Sequence, residues 1–87
     1  MPNVHADPDK LKQFGKSLTA SADKLDEVVR GLSQGLSNSG WNDSERQKFE
    51  ESFQQIVKNL GQFTNKLREY GPQLQKKAAA LEQYRTR

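Results

Sequence analysis

The sequence contains no cysteine and only one histidine, His5. Disulfides are therefore excluded, and a zinc site is excluded too, because one imidazole without thiolates supplies too few ligands. A chain of 87 residues builds only a small core, and natural domains of this size usually add disulfides, a metal or a partner chain. With the first two excluded, self-association or a partner protein is the remaining source of stability.

The sequence also lacks a long apolar run. No stretch approaches the ~20 residues that a membrane-spanning helix needs. The start, "MPNVHADPDK", has no basic segment followed by an apolar one, as a secretory signal peptide would. We therefore predict no membrane span and synthesis in the cytoplasm. If the protein is exported, we expect a route without a cleaved signal peptide.

Groups of residues that carry chemistry are missing as well. His5 lies before the first predicted helix and has no sequence neighbour that would complete a triad. The Glu-x-x-His pattern of diiron bundles and the phosphate-binding glycine loop do not occur. Glu50 and Glu51 are spaced for solvent-facing positions. The sequence thus predicts a protein that is not an enzyme and that needs no cofactor or metal.

The net charge of +3 is unevenly distributed. Residues 1–40 carry five basic and five acidic side chains, whereas residues 41–87 carry nine basic and six acidic ones. Basic tails bind nucleic acid or anionic lipid in some proteins. Here the basic residues are spaced singly and form no cluster, which is typical of a solvated helix face. We predict no specific nucleic-acid partner.

What the sequence does have is a regular apolar series in steps of three and four, which predicts helices with a heptad seam. No segment alternates with the period of two that a strand requires. Lys77 is the position that interrupts the series in the second half. The predicted seam, within the hairpin or between two hairpins, is Leu11, Phe14, Leu18, Leu25, Val28, Leu32, Phe49, Phe53, Ile56, Leu60, Phe63, Leu67, Tyr70, Leu74 and Leu81.

The ends of the first helix are marked by local signals. Asp7 is a favourable N-cap, and Pro8 fits the first helical position because its missing N–H costs nothing there. The residues "SNSGWND" at positions 37–43 favour a turn. We therefore predict helix one over about 8–36.

The second helix is predicted over about 44–84. Either Asn42 caps it, with Glu45 in the reciprocal capping-box position, or Asp43 does. Gly71-Pro72 lies inside this range, and proline removes one backbone hydrogen bond. The heptad phase is the same on both sides of the proline, so we predict a kinked helix that continues.

The short connection between two long helices forces an antiparallel hairpin, so we predict one all-α domain over 1–87. Ala22, Val29 and Leu36 lie beside the seam of helix one and widen it. A single hairpin would leave apolar surface in water, and two hairpins packed as a four-helix bundle would cover it. The second hairpin is either a copy of this chain or a paralogous hairpin. Three glycines near the seam, Gly15, Gly31 and Gly61, either permit close helix approach at a dimer crossing or are tolerated weak points.

Trp41, the single tryptophan, lies in the predicted turn. A helical hairpin of under a hundred residues with tryptophan at its bend resembles the WXG family of small type VII secretion substrates, the early-secreted-antigen-like proteins. The acidic start "ADPDKL" and Phe49, eight residues after Trp41, strengthen the resemblance. Two features depart from it. The motif reads Trp41-Asn42-Asp43 in place of Trp-x-Gly, and the Tyr-x-x-x-Asp/Glu export motif does not occur.

The resemblance implies a small non-enzymatic protein, made in the bacterial cytoplasm, that is secreted by a type VII system or serves as an export partner and acts through helical-bundle dimerisation. The implied partners are a second hairpin and the secretion machinery. Trp41, Asn42 and Asp43 form the turn motif, in which Trp41 closes the bundle, contacts a partner, or does both. One alternative is a helical targeting partner for a larger secreted toxin. A less favoured one is a needle-type polymerising subunit.

Overall fold

The structure, a computed structural model, describes residues 7–85, with side chains described through residue 84. It contains two helices, α1 (Pro8–Ser37, 30 residues) and α2 (Ser44–Arg85, 42 residues), and no strand in the described range. The helices pack against each other over their length as an antiparallel hairpin. The predicted all-α hairpin is therefore confirmed. His5 lies outside the described residues.

The first helix starts and ends at identifiable hydrogen bonds. Asp7 has extended backbone angles, and its side chain accepts a hydrogen bond of 2.9 Å from the backbone N–H of Asp9. At the other end, the N–H of Asn38 donates to the carbonyl of Gln34 at 2.9 Å. The chain then reverses through Gly40, whose φ of +72° is a left-handed conformation that glycine adopts without strain.

The second helix runs through Gly71 and Pro72 without interruption. Pro72 is exposed, and it lies about 100° round the helix from Gly71, which contacts α1. The proline leaves one backbone carbonyl without its helical donor, and packing on the other side of the helix holds the segment in place. The kink itself stays a prediction.

The line along which α1 and α2 touch consists of small residues spaced by seven. Ala22 is 0% exposed, and Thr64 and Ala78 are each 2% exposed. The buried line, as we call it, is Pro8, Gly15 and Ala22 in α1 with Thr64, Gly71 and Ala78 in α2. Small side chains at this spacing let the two backbones approach each other closely.

The closest approach is between Gly15 and Gly71. A Cβ atom placed on Gly15 would lie 2.7 Å from the carbonyl oxygen of Gly71, and one placed on Gly71 would lie 2.8 Å from the carbonyl oxygen of Gly15. By contrast, a Cβ on Gly31 or Gly61 would meet nothing within 4 Å. The close approach expected of Gly15 therefore occurs within one chain, while Gly31 and Gly61 face open space.

An ion cluster pins the two helices on one side of the hairpin. Arg68 of α2 donates hydrogen bonds to Asp23 at 2.9 Å and to Asp26 at 2.5 Å, both on α1. The hydrogen bonds to Asp23 and then Asp26 raise the pKa of Arg68 above its usual value. Arginine is charged at every physiological pH in any case, and the two hydrogen bonds tie α2 to α1 at this register.

The hairpin is a thin rod rather than a packed globule. Its dimensions are 66 × 23 × 15 Å and its radius of gyration is 19.5 Å, against about 12 Å for a compact domain of this length. No large side chain is fully buried anywhere in the described range. Two helices alone enclose no hydrophobic core here, so the large apolar side chains remain at the surface.

Candidate interaction surface

The predicted seam is divided by the structure into two rows. One row is half-buried and flanks the buried line: Leu11, Leu18, Leu25, Phe53, Leu60, Leu67, Leu74 and Leu81. The other is between 46% and 56% exposed: Phe14, Val28, Leu32, Phe49, Ile56, Phe63 and Tyr70. We call this second set the apolar face.

The apolar face lies on one side of the hairpin. Phe14 directly precedes Gly15 of the buried line, and Phe63 directly precedes Thr64 in the same way. Because equivalent positions of two antiparallel helices point to the same side of the pair, both helices contribute to one surface. The opposite side carries the Arg68 ion cluster. The hairpin therefore has one broad apolar side and one polar side.

The residues that form the closest contact between the helices carry only a weak signal in the sequence. The heptad pattern indicates the large side chains and places Ala22 beside the seam, whereas the structure buries Ala22 together with Thr64, Gly71 and Ala78. A signal was present in the spacing of seven between these three residues of α2. It was hidden because small residues contribute little to a hydrophobicity pattern.

The bend is organised by the carboxylate of Asp43. One oxygen, Oδ1, accepts hydrogen bonds from the backbone N–H of Glu45 at 3.0 Å and of Arg46 at 3.2 Å. Asp43 is therefore the N-cap of α2, which was one of the two predicted possibilities, and Asn42 is exposed. The same oxygen also accepts a hydrogen bond of 2.7 Å from the indole Nε1–H of Trp41.

Trp41 is held from several directions. Besides its indole bond, its backbone N–H donates to the hydroxyl of Ser39 at 3.2 Å, and its carbonyl accepts from Nη1 of Arg46 at 2.9 Å. Its ring lies 5.5 Å from that of Phe49 in a tilted arrangement, and Phe49 stacks on Phe53 at 5.9 Å. The half-buried indole thus joins the bend to the apolar face and keeps one surface in contact with solvent.

Replacing Asp43 by alanine tests this arrangement. The variant loses both the helix cap and the acceptor for the indole, so we expect it to be destabilised by about 1–2 kcal/mol. That corresponds to a fall in Tm of roughly 4–15 °C for a domain of this size. The near-ultraviolet circular dichroism of Trp41 should weaken in parallel. Asp43→Asn keeps an oxygen acceptor and should lose less than half as much; equal losses in both variants would contradict the role assigned to Oδ1.

Two kinds of site were sought in the described residues. They contain no group of three or more side chains that could bind a metal ion. Neither α1 nor α2 has a segment long and apolar enough to cross a lipid bilayer. What the surface presents is the apolar face and the tryptophan bend, which are features of protein–protein contact.

These features define a class: a small helical hairpin with tryptophan at its bend and one broad apolar side left uncovered. The family model described as "Proteins of 100 residues with WXG" (WXG100) matches residues 3–84. The chain therefore belongs to the WXG100 family, whose members are small proteins secreted by type VII systems without signal peptides. A comparison with curated proteins gave no match.

Proposed function

We propose that this protein is a non-enzymatic substrate of a type VII secretion system and that it acts as a homodimer in which two hairpins form a four-helix bundle. The observation that carries the proposal is the combination of no fully buried large side chain with seven large apolar side chains exposed on one side. A chain of this size buries little apolar surface on folding, so leaving these side chains in water gives up a large part of its possible stability. Covering that surface with a second hairpin supplies the missing core.

The charge distribution supports a second copy of the same chain as the partner. The half of the hairpin near the bend, residues 23–63, has seven acidic and five basic residues, net −2. The half near the chain ends, residues 7–22 and 64–85, has four acidic and eight basic residues, net +4. Two copies lying antiparallel bring the bend of each against the oppositely charged end of the other, which favours association.

The bend supplies a second contact site, directed at the secretion machinery. Trp41 is half-buried and fixed by Asp43, Ser39 and Arg46, so its exposed surface is presented in one orientation. A preorganised aromatic residue contacts a partner with little loss of conformational entropy. In this proposal the folded dimer is the exported species, and the motif Trp41-Asn42-Asp43 lies at its two ends.

A related role is supported by one feature of α2. The residue four positions after Tyr70 is Leu74, so the Tyr-x-x-x-Asp/Glu motif is not formed there. A hairpin in which Tyr70 does not form that motif would gain it from a partner that carries it, such as a paralogous hairpin or the helical start of a larger secreted toxin. The apolar face would then pack against that partner. A needle-type polymer is less well supported, since its subunits need contacts on several sides and one side here is polar.

The first test is the absolute mass of the protein by light scattering behind a sizing column, over a range of concentrations. We expect about 20 kDa, twice the 9.9 kDa of the chain, at micromolar concentrations. A monomer at every concentration would assign the apolar face to a different protein, and a mass that grows with concentration would indicate a polymer.

The second test is export from a bacterium that carries a type VII system. The protein should accumulate in the culture medium without loss of its N-terminal segment. It should stay inside the cells when the motor ATPase of the system is deleted. Equal amounts in the medium with and without the motor would rule out this export route.

A further inference from the structure

The exposed row of α2 contains one charged residue. At spacings of seven it reads Phe49, Ile56, Phe63, Tyr70, Lys77 and Tyr84. All of these side chains are exposed, and all but Lys77 are apolar or aromatic. A lysine in an apolar interface costs stability unless its ammonium group stays in water or meets a carboxylate. Lys77 would therefore weaken the dimer unless a carboxylate, from its own hairpin or from the second one, pairs with its ammonium group.

Within the part of the hairpin whose side chains are described, Lys77 has no counter-charge. Among residues 7–84, no carboxylate lies within ion-pair distance of Lys77 and no hydrogen bond involves its side chain. Its neighbour Lys76 is exposed as well, but one residue along a helix turns by about 100° and leaves the apolar face. Lys77 thus occupies a position in the exposed row itself, whereas Lys66 reaches this side only at the ring of Tyr70, with its Nζ 6.0 Å from the ring centroid.

The bend carries an acidic residue that is equally unengaged. The carboxylate of Asp43 caps α2 and binds Trp41, and that of Glu50 lies 3.8 Å from Nε of Arg46. Glu45 uses only its backbone N–H, as a donor to Asp43, and its carboxylate forms no ion pair in the described range. Glu45 stands one helical turn before Phe49, at the margin of the apolar face.

We propose that Lys77 determines the orientation of the dimer by pairing with Glu45 of a second copy of the chain. The inference rests on the proposed homodimer and deepens it. Phe49 and Lys77 are 28 residues apart, so the row spans about 42 Å. In an antiparallel pair, the end of the row that carries Lys77 reaches the bend of the other copy. In a parallel pair, Lys77 would face Lys77.

The pairing acts as a specificity device more than as a source of affinity. Exposed ion pairs are individually weak, but a two-fold axis makes two of them in the antiparallel dimer and two repulsions in the parallel one. The apolar face by itself has no such preference. Lys77 thus adds, within the apolar face itself, to the preference for the antiparallel dimer that the opposite charges of the two halves already give.

The charge-reversal experiment measures dimer dissociation constants by sedimentation or by light scattering on dilution. Lys77→Glu should weaken the homodimer by about 5- to 30-fold, the effect of two exposed pairs changed together. Lys76→Glu alters the net charge by the same amount off the apolar face and should change the constant by less than about 2-fold. Glu45→Lys should weaken the homodimer as Lys77→Glu does.

Mixing the two weakened variants gives the decisive result. A heterodimer of Lys77→Glu with Glu45→Lys contains two attractive pairs again, so its affinity should return to within about 3-fold of the wild type. If the mixture is as weak as each variant alone, the two residues do not meet and the inference is overturned. A wild-type protein that is a dimer but unaffected by Lys77→Glu overturns this inference alone. A wild-type monomer overturns the proposed homodimer with it.

Crosslinking tests the orientation directly, and the chain has no native cysteine to interfere. Chains carrying Lys77→Cys and chains carrying Glu45→Cys are mixed and treated with a short bis-maleimide. Antiparallel dimers should give a crosslinked product in the mixture and little in either variant alone. Crosslinking of Lys77→Cys to itself, at a yield above that of the mixture, would show the parallel arrangement and exclude the proposal.

Discussion

Gly71→Ala is expected to lower the Tm of the protein by about 5–15 °C, although alanine is the better helix former by ~1 kcal/mol. The added Cβ would lie 2.5 Å from Oγ1 of Thr19 and 2.8 Å from the carbonyl oxygen of Gly15. The Thr19 hydroxyl can rotate away, but the Gly15 carbonyl is backbone and can move only with its helix. Separating the helices loosens the contacts that hold the hairpin, which costs about 1–3 kcal/mol.

The matched control is Gly31→Ala in the same hairpin. A Cβ at Gly31 meets nothing within 4 Å, so only the gain in helix propensity remains. This gain of ~0.5–1 kcal/mol in the free energy of unfolding should raise Tm by a few degrees. Both variants are compared by circular dichroism at one protein concentration, because association shifts Tm. If Gly71→Ala is stabilising to the same extent as Gly31→Ala, the two backbones do not approach each other at Gly15.

Phe63→Glu is expected to convert the proposed dimer into a monomer of 9.9 kDa while leaving the helical content nearly unchanged. Phe63 lies in the middle of the apolar face and is 52% exposed in the hairpin, so the single hairpin depends on it only in part. In the dimer its replacement buries two carboxylates without partners, and each costs several kcal/mol. The dissociation constant should rise by more than about 100-fold.

Gln62→Glu is the control for Phe63→Glu. It introduces the same charge one residue away, at an exposed position that points off the apolar face. Its mass in light scattering and its level in the culture medium should match the wild type. The proposal also links assembly to export, so Phe63→Glu should be retained in the cells. Normal secretion of a monomeric Phe63→Glu protein would separate export from dimerisation.

The fold followed from signals that act locally. Asp7 and Pro8 mark the start of α1, Asp43 caps α2, and turn-forming residues between the helices leave only an antiparallel arrangement. These signals need no knowledge of the partner helix, because capping and turn geometry are decided within a few residues. The helical periodicity is of the same kind, and it correctly indicated two amphipathic helices.

Local signals do not show which side chains form the contact between α1 and α2. A heptad pattern shows which residues avoid water but not which neighbour covers them. The large residues were assigned to one common seam, whereas Gly15 and Gly71 bring the backbones together and displace the larger side chains such as Phe14 and Tyr70 to the surface. The backbone approach that small residues permit is a pairwise property of two helices, and no single segment reveals it.

At the bend, too, some features can be predicted from the sequence and others cannot. Residue types indicate the turn and the two candidate caps, but they do not decide whether Trp41 packs, contacts a partner, or does both. That one oxygen of Asp43 would serve as cap and as indole acceptor could not be predicted. It depends on the rotamers of Trp41 and Asp43 together, which the sequence does not fix by pattern.

The buried line of small residues has a consequence for how such a protein can change. The closest contact between the helices is made by six small residues, whereas the proposed dimer interface consists of a different set of large ones. Residues such as Val28, Ile56 and Phe63, each about half exposed, can therefore be exchanged with a smaller effect on the hairpin than residues of the buried line. The hairpin contact and the interface thus involve different residues. After duplication of the chain, a few substitutions on the apolar face could therefore give one copy a new partner that the other copy does not bind.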